Sequence, residues 1–147
     1  MKANRAAILL AEDDPDDQYL ISEAMDESHL NAQLYVVSNG EELLDYLNRQ
    51  GKYQDIQKYP MPNLILLDLN MPRKDGREAL REIKADPKLQ HIPILALTTS
   101  KAEKDIAQTY KDGVSGFITK PVSFSGLREV MKTIGSYWLE TTRLPPE

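Results

Sequence analysis

Several polar side chains in this chain follow directly on apolar runs, and their types suit one chemistry. Glu12-Asp13-Asp14 follows the run Ala6–Ala11, Asp68 follows Leu64–Leu67, Thr98 follows Ile94–Leu97, and Lys120 follows Gly116–Thr119. If the acidic residues converge, they repel: two unit charges at about 4 Å interact by roughly 4 kcal/mol at an effective dielectric of 20. A hard divalent cation removes that penalty. Mg²⁺ takes one or two carboxylates, several waters and phosphate oxygens. Asp13 and Asp68 then read as direct ligands, Glu12 as a ligand acting through water, and the backbone carbonyl of Asn70 as completing the set. Phosphoryl transfer needs positioning and charge neutralisation more than covalent assistance. Asp68 suits the nucleophile of an aspartyl-phosphate. Lys120 and Mg²⁺ would neutralise the phosphoryl oxygens, and Thr98 would donate to one of them. Taken singly, each residue has a plainer reading. Asp13 and Asp14 serve as helix caps, and Asp14 is best read so; Asp68 is a polar strand end, Thr98 a strand former and Lys120 a solvated charge. Only their joint placement carries the chemistry.

That placement depends on the elements around them. Apolar runs alternate five times with helical patterns. The first run shows no polar alternation, as expected of a strand covered on both faces. Asp14-Pro15 reads as N-cap and first helical residue, and Leu20, Ile21, Ala24 and Met25 form a helical stripe. Leu34–Val37 reads as a strand, and Leu43, Leu44 and Leu47 as a helix ending near Gly51. Gly51–Pro62 reads as a surface loop. Ala79, Leu80 and Ile83 mark a helix stopped by Asp86-Pro87. Ala102, Ile106, Ala107 and Tyr110 mark another, ended by Gly113, and Leu127, Val130, Met131, Ile134 and Trp138 mark the last. Strict β-α alternation predicts a parallel sheet with helices on both faces. The three most apolar runs should be central and the shorter, more polar second and fifth runs should be edges. The resulting expectation is an α/β, flavodoxin-like, doubly wound five-stranded sheet of order 2-1-3-4-5 with five helices. The site residues then lie at the carboxyl ends of the strands, where such sheets bind ligands.

The chain has 147 residues, 41% hydrophobic and 28% charged, with a net charge of −5. That length and balance suit a single domain over residues 1–147, with a core from about 6 to 138 and a tail at 139–147. Mild acidity argues against nucleic-acid binding. No cysteine is present, which excludes disulfides, thiolate catalysis and cysteine zinc sites. Ala6–Ala11 is too short for a signal-peptide core or a membrane span, so the expected location is the cytoplasm and no membrane partner is expected. His29 and His91 have no ligand partner spaced around them, and no Gly-rich phosphate loop follows the first strand.

The residues resemble the response regulator receiver family of two-component signalling. Ile8–Asp14 is similar to its acidic first-strand motif and Leu66–Pro72 to its phosphoacceptor motif; Leu97–Ser100 and Phe117–Pro121 match the remaining two. The resemblance implies a phosphoprotein in which Asp68 accepts phosphate from a phosphohistidine on a sensor histidine kinase. It implies Glu12, Asp13, Asp68 and the Asn70 carbonyl at a Mg²⁺ site, and Thr98 and Phe117 as switch residues. Phe117 stands where the family often has tyrosine, so it lacks that hydroxyl. The resemblance also implies a cis Lys120–Pro121 bond. The loop Gly51–Pro62, the run Pro72–Arg77 and the tail Trp138-Leu139-Glu140 resemble stand-alone receivers linked to phytochrome-type kinases. With no output domain after residue 138, the expected output is a protein–protein contact through the fourth helix, fifth strand and fifth helix. Leu139 and Leu144 either extend that face into a homodimer or pack on their own domain.

Two other classes compete. A pseudo-receiver would fold alike without accepting phosphate, but such domains lack an acidic or lysine position that is present here. An aspartate-nucleophile phosphatase of the haloacid dehalogenase type wants its nucleophile on strand one and a second aspartate two residues later. Here the acceptor is on strand three and position 70 is Asn.

Overall fold

Alternate residues of each central strand enter different cores. Ile8, Leu10, Leu64, Leu66, Leu95 and Leu97 point one way, and Leu9, Ala11, Ile65, Leu67, Ile94 and Ala96 the other. The computed structural model describes residues 6–29, 31–71, 73–99 and 103–141, without the side chains of 103–104 and 139–141. Its strands are β1 (Ala6–Ala11), β2 (Ala32–Val37), β3 (Leu64–Leu67), β4 (Ile94–Thr98) and β5 (Gly116–Thr119). They pair in parallel in the order β2-β1-β3-β4-β5, as expected. One face is covered by α1 (Pro15–Glu27) and α5 (Phe124–Ile134), through Ile21, Ala24, Met25, Leu127, Met131 and Ile134. The other is covered by α2 (Gly40–Leu47) and α3 (Gly76–Ala85), through Leu43, Leu47, Ala79, Leu80 and Ile83. Both faces of β1, β3 and β4 are dry, which is why their runs lack polar residues.

Four helices begin with a side-chain cap that satisfies otherwise orphan N–H groups. Asp14 accepts from the Asp16 N–H, Asn39 from Glu42, Asp75 from Arg77 and Ser123 from Gly126. The expected cap at Asp14, with Pro15 first in the helix, is therefore present.

Four local expectations are corrected. β2 begins at Ala32, so it is as long as β1; it is still an edge, with Gln33 and Val36 exposed. α2 ends at Leu47 rather than near Gly51, because Arg49 turns out of the helix at φ +60°. The stretch 51–62 is only partly a surface loop. Gly51–Gln54 forms a 3₁₀ turn and buries Tyr53. The Tyr53 ring lies 5.1 Å from Tyr46 and 5.0 Å from Tyr59. The Tyr46 hydroxyl donates to the Pro60 carbonyl at 2.7 Å, and the Arg49 guanidinium donates to the Tyr53 and Tyr59 carbonyls. Burial raises the pKa of Tyr46 and pushes Tyr53 up to about 12.

The fourth correction concerns α4 (Glu103–Lys111). Its expected apolar stripe is not a core face: Ala107 and Tyr110 face outward, and Thr109 is the buried residue among its described side chains. α4 and the residue that follows it are joined to α3 by ion pairs instead, Arg77–Asp105 at 2.6 Å and Arg81–Asp112 at 3.3 Å. After α5 the helix widens into a π-helical turn, Gly135–Thr141, and Trp138 packs against the α1/α5 core. Pro72, Ser100, Ala102, Leu144 and the side chain of Leu139 lie outside the described residues. No helix among the described residues is long and apolar enough to cross a membrane.

Candidate functional site

Register brings the acidic residues together. Ala11 pairs with Leu67 across β1 and β3, so Glu12 and Asp68 leave the sheet side by side, and the Asp68 N–H donates to the Ala11 carbonyl at 3.0 Å. Glu12, Asp13 and Asp68 each place a carboxylate oxygen within 4.8 Å of the others. Glu12 is 1% exposed and Asp68 7%. Oδ1 of Asp68 accepts from the Asn70 N–H at 2.9 Å, which pins the carboxylate and starts the β3–α3 turn. The donor set is oxygen only, which suits a hard divalent cation rather than a soft one.

Gly76 lets α3 begin against this site. Its N–H donates to the Leu69 carbonyl at 3.2 Å. A Cβ there would fall inside contact distance of the Asp68 carbonyl oxygen and 2.8 Å from Leu69 Cα, both backbone atoms that cannot step aside.

Lys120 enters from β5. Its Nζ lies 2.6 Å from Glu12 Oε1, 2.9 Å from Asp17 Oδ2 and 3.6 Å from Asp68 Oδ2. Burial would lower its pKa, but the hydrogen bonds to Glu12 and Asp17 and the Asp68 charge outweigh that and raise it, so it is an ammonium at neutral pH. Burial pushes the Glu12 carboxyl up to about 7; Lys120 opposes the rise and the Asp68 charge adds to it. The expected cis bond at Lys120–Pro121 is a correction: no described peptide bond is cis. Trans is the intrinsically favoured isomer, by about 0.5–1 kcal/mol, and in it Lys120 already reaches its carboxylates.

Thr98 is fully buried at the end of β4, and its Oγ1 accepts from Asn70 Nδ2 at 3.0 Å. Phe117 is half-buried against the α2/α3 core, and its N–H donates to the Tyr110 hydroxyl at 3.2 Å. Glu12, Asp13, Asp68, Asn70, Thr98 and Lys120 therefore gather at one end of the sheet, while Phe117 sits deeper along β5. His29 and His91 are exposed.

Two residues at the site were missed from sequence. Asp17 is the third carboxylate on Lys120; it lies in the first turn of α1, just past the Asp14 cap, and its closeness to Glu12 and Asp13 in the chain is the available signal. Arg77 was read only as part of a motif. Its guanidinium forks onto Asp105 through Nε at 3.0 Å and Nη2 at 2.6 Å, and Nη1 donates at 3.3 Å to both the Leu69 carbonyl and Asn70 Oδ1.

Known proteins are similar in sequence and fold along nearly the whole chain. Residues 8–132 match the response regulator receiver domain family. Response regulator Rcp1 of Synechocystis sp. is 42% identical over 138 residues, covering 94% of this chain and 92% of that protein. The crystal structure of the phosphorylated cyanobacterial phytochrome response regulator RcpA superposes with a TM-score of 0.89 at 42% identity, covering 97% of this chain and 100% of the other. The Mn²⁺-bound form of Rcp1 gives 0.86 at 41%, covering 96% and 99%. With the family matched across most of its length and relatives of this identity covered end to end, the chain belongs to the response regulator receiver domain family.

Proposed function

We propose that this receiver takes a phosphoryl group onto Asp68 from the phosphohistidine of a sensor histidine kinase, with Mg²⁺ at the acidic pocket. The observation that carries the proposal is the convergence of the Glu12, Asp13 and Asp68 carboxylates beneath the Lys120 ammonium. A carboxylate oxygen of Asp68 forms the new bond to phosphorus as the P–N bond breaks, and the imidazole leaves with the electron pair. Glu12, Asp13, Asp68 and the Asn70 backbone carbonyl would hold Mg²⁺, which supplies charge neutralisation. Lys120 offsets charge on the phosphoryl oxygens and Thr98 donates to one of them. Phe117 and Thr98 form the switch. The whole chain acts as one cytoplasmic signalling domain with no separate substrate to turn over. It signals by protein contact through α4, β5 and α5, where Tyr110 and Val122 are exposed. The likeness to a cyanobacterial phytochrome response regulator supports a phytochrome-type kinase as donor.

The test is intact-protein mass spectrometry after incubation with acetyl phosphate. One Mg²⁺-dependent phosphoryl adduct mapping to Asp68 is expected. No adduct under any condition would leave a constitutive binding module as the better account.

Cation binding should also depend on pH. Glu12 is protonated below about 7, and a ligand carboxylate must lose its proton to serve a cation. Mg²⁺ affinity, followed by calorimetry, should therefore fall as pH drops below 7, by up to about tenfold per unit, and level off above it. In chelator the sign reverses for stability. The native state keeps a proton on Glu12 that the unfolded chain releases near 4.5, so stability is lost as pH rises from about 4.5 to 7. A flat affinity profile would remove Glu12 from the site.

A further inference from the structure

A polar relay runs from the end of β4 to α4: Thr98, Asn70, Arg77, Asp105. Donor and acceptor chemistry orients every link. An arginine side chain has donors and no acceptor, so the atom of Asn70 that meets Arg77 must be Oδ1, at 3.3 Å. The carboxamide nitrogen then necessarily faces Thr98, at 3.0 Å. A hydroxyl met by an N–H donor must accept there, and its own single hydrogen is directed to a different acceptor. Arg77 is itself held by the two-pronged fork onto Asp105, a pairing more directional than a lysine could make.

We propose that Arg77 is a positioning residue for phosphotransfer: through Asn70 it fixes the Thr98 hydroxyl as a hydrogen-bond donor, and through Asp105 it makes that orientation depend on where α4 sits. Without Arg77, the Asn70 carboxamide is free to turn and present Oδ1 to Thr98. That oxygen would then take the hydroxyl hydrogen that a phosphoryl oxygen on Asp68 needs. No proton is transferred in this step; the hydroxyl donates, and the transferring group gains one oriented donor. Displacing α4 would pull Asp105 off the fork and loosen the same chain from its other end.

The inference rests on Asp68 being the phosphoacceptor, and the experiment separates the two ideas. Initial rates of Asp68 phosphorylation by acetyl phosphate in saturating Mg²⁺ are measured for wild type, Arg77→Met, Thr98→Ala and the double variant. Losing one oriented hydrogen bond corresponds to about a fivefold slower rate. Arg77→Met should show that loss in the wild-type background and almost none when Thr98 is already alanine, the non-additivity expected of residues acting as one unit. Arg77→Lys keeps a donor for Asn70 Oδ1 but not the fork onto Asp105, so its rate should fall between those of wild type and Arg77→Met. Should the methionine variant fail to fold, Asp105→Ala carries the same cycle, since it releases Arg77 from its fork and loosens the chain while Asn70 keeps both its amide groups. Additive effects, an unchanged rate, or a lysine variant as slow as the methionine one would overturn the role of Arg77 and leave the acceptor reading standing. A wild type that never takes phosphate would overturn both.

Discussion

Asp68→Asn is expected to take up no phosphoryl group from acetyl phosphate at any Mg²⁺ concentration. Asparagine is nearly isosteric and keeps an oxygen for the Asn70 N–H that now bonds Oδ1, so the fold should stand. What it lacks is a carboxylate nucleophile. The substitution should also be visible at its neighbour. Glu12 sits near 7 because of burial, with the Asp68 charge adding to the rise. Neutralising position 68 removes that second contribution and leaves the first, so Glu12 should titrate lower, which carboxyl NMR can follow. The variant should lose most of its response to Mg²⁺ as well. A cation bound only by the native state stabilises it by about 2.7 kcal/mol at a free concentration a hundred times its Kd. At the same Mg²⁺ concentration, the gain for the variant should be less than half that of wild type. An adduct forming on the variant would move the acceptor to Glu12 or Asp13, and an unmoved Glu12 would mean that the two carboxylates do not sense each other.

Gly76→Ala is expected to destabilise the protein by about 3 kcal/mol, the upper end of ordinary overpacking, and to slow phosphorylation together with it. The methyl group is small, but its neighbours are the Asp68 carbonyl and Leu69 Cα. Relief requires the β3–α3 turn to move, and that turn carries both Asp68 and Asn70. The same movement would break the Gly76 N–H bond to the Leu69 carbonyl and strain the cap in which Asp75 accepts from Arg77. Urea unfolding gives the stability, and the acetyl phosphate rate gives the site. An alanine variant as stable and as fast as wild type would show that α3 can retreat freely, contrary to the tight approach seen here.

The sheet and most of the site were legible because their causes are local or repetitive. Runs such as Ile8–Ala11 and Leu64–Leu67 contain no polar residue because both of their faces are covered, and that pattern alone placed them at the centre. Once the strands were ordered, their last residues had to converge, so Glu12, Asp13, Asp68, Thr98 and Lys120 could be gathered from sequence. What was missed depends on packing between distant segments. Tyr53 and Tyr59 have no periodic spacing, and their packing arises only when the chain reverses at Arg49 and lays them against Tyr46. The stripe on α4 had the right spacing but no apolar partner to meet. Asp17 drew no reading from sequence, because its partner Lys120 is brought to it only by β5. The partners of Arg77 lie on the β3–α3 turn and, 28 residues away, on α4, a combination that no local pattern encodes.

The way α4 is attached has a thermodynamic consequence. A helix seated by apolar burial carries a large heat-capacity change when it moves, so the free energy of that movement curves with temperature. Among the described side chains of α4 little apolar surface is covered, and its ties to α3 are charge pairs on Arg77 and Arg81. Shifting it would uncover little oily surface and so carry almost no heat capacity. The free-energy difference between its positions would then vary almost linearly with temperature, without the curvature that apolar burial brings, and it would answer strongly to ionic strength and to charge placed nearby.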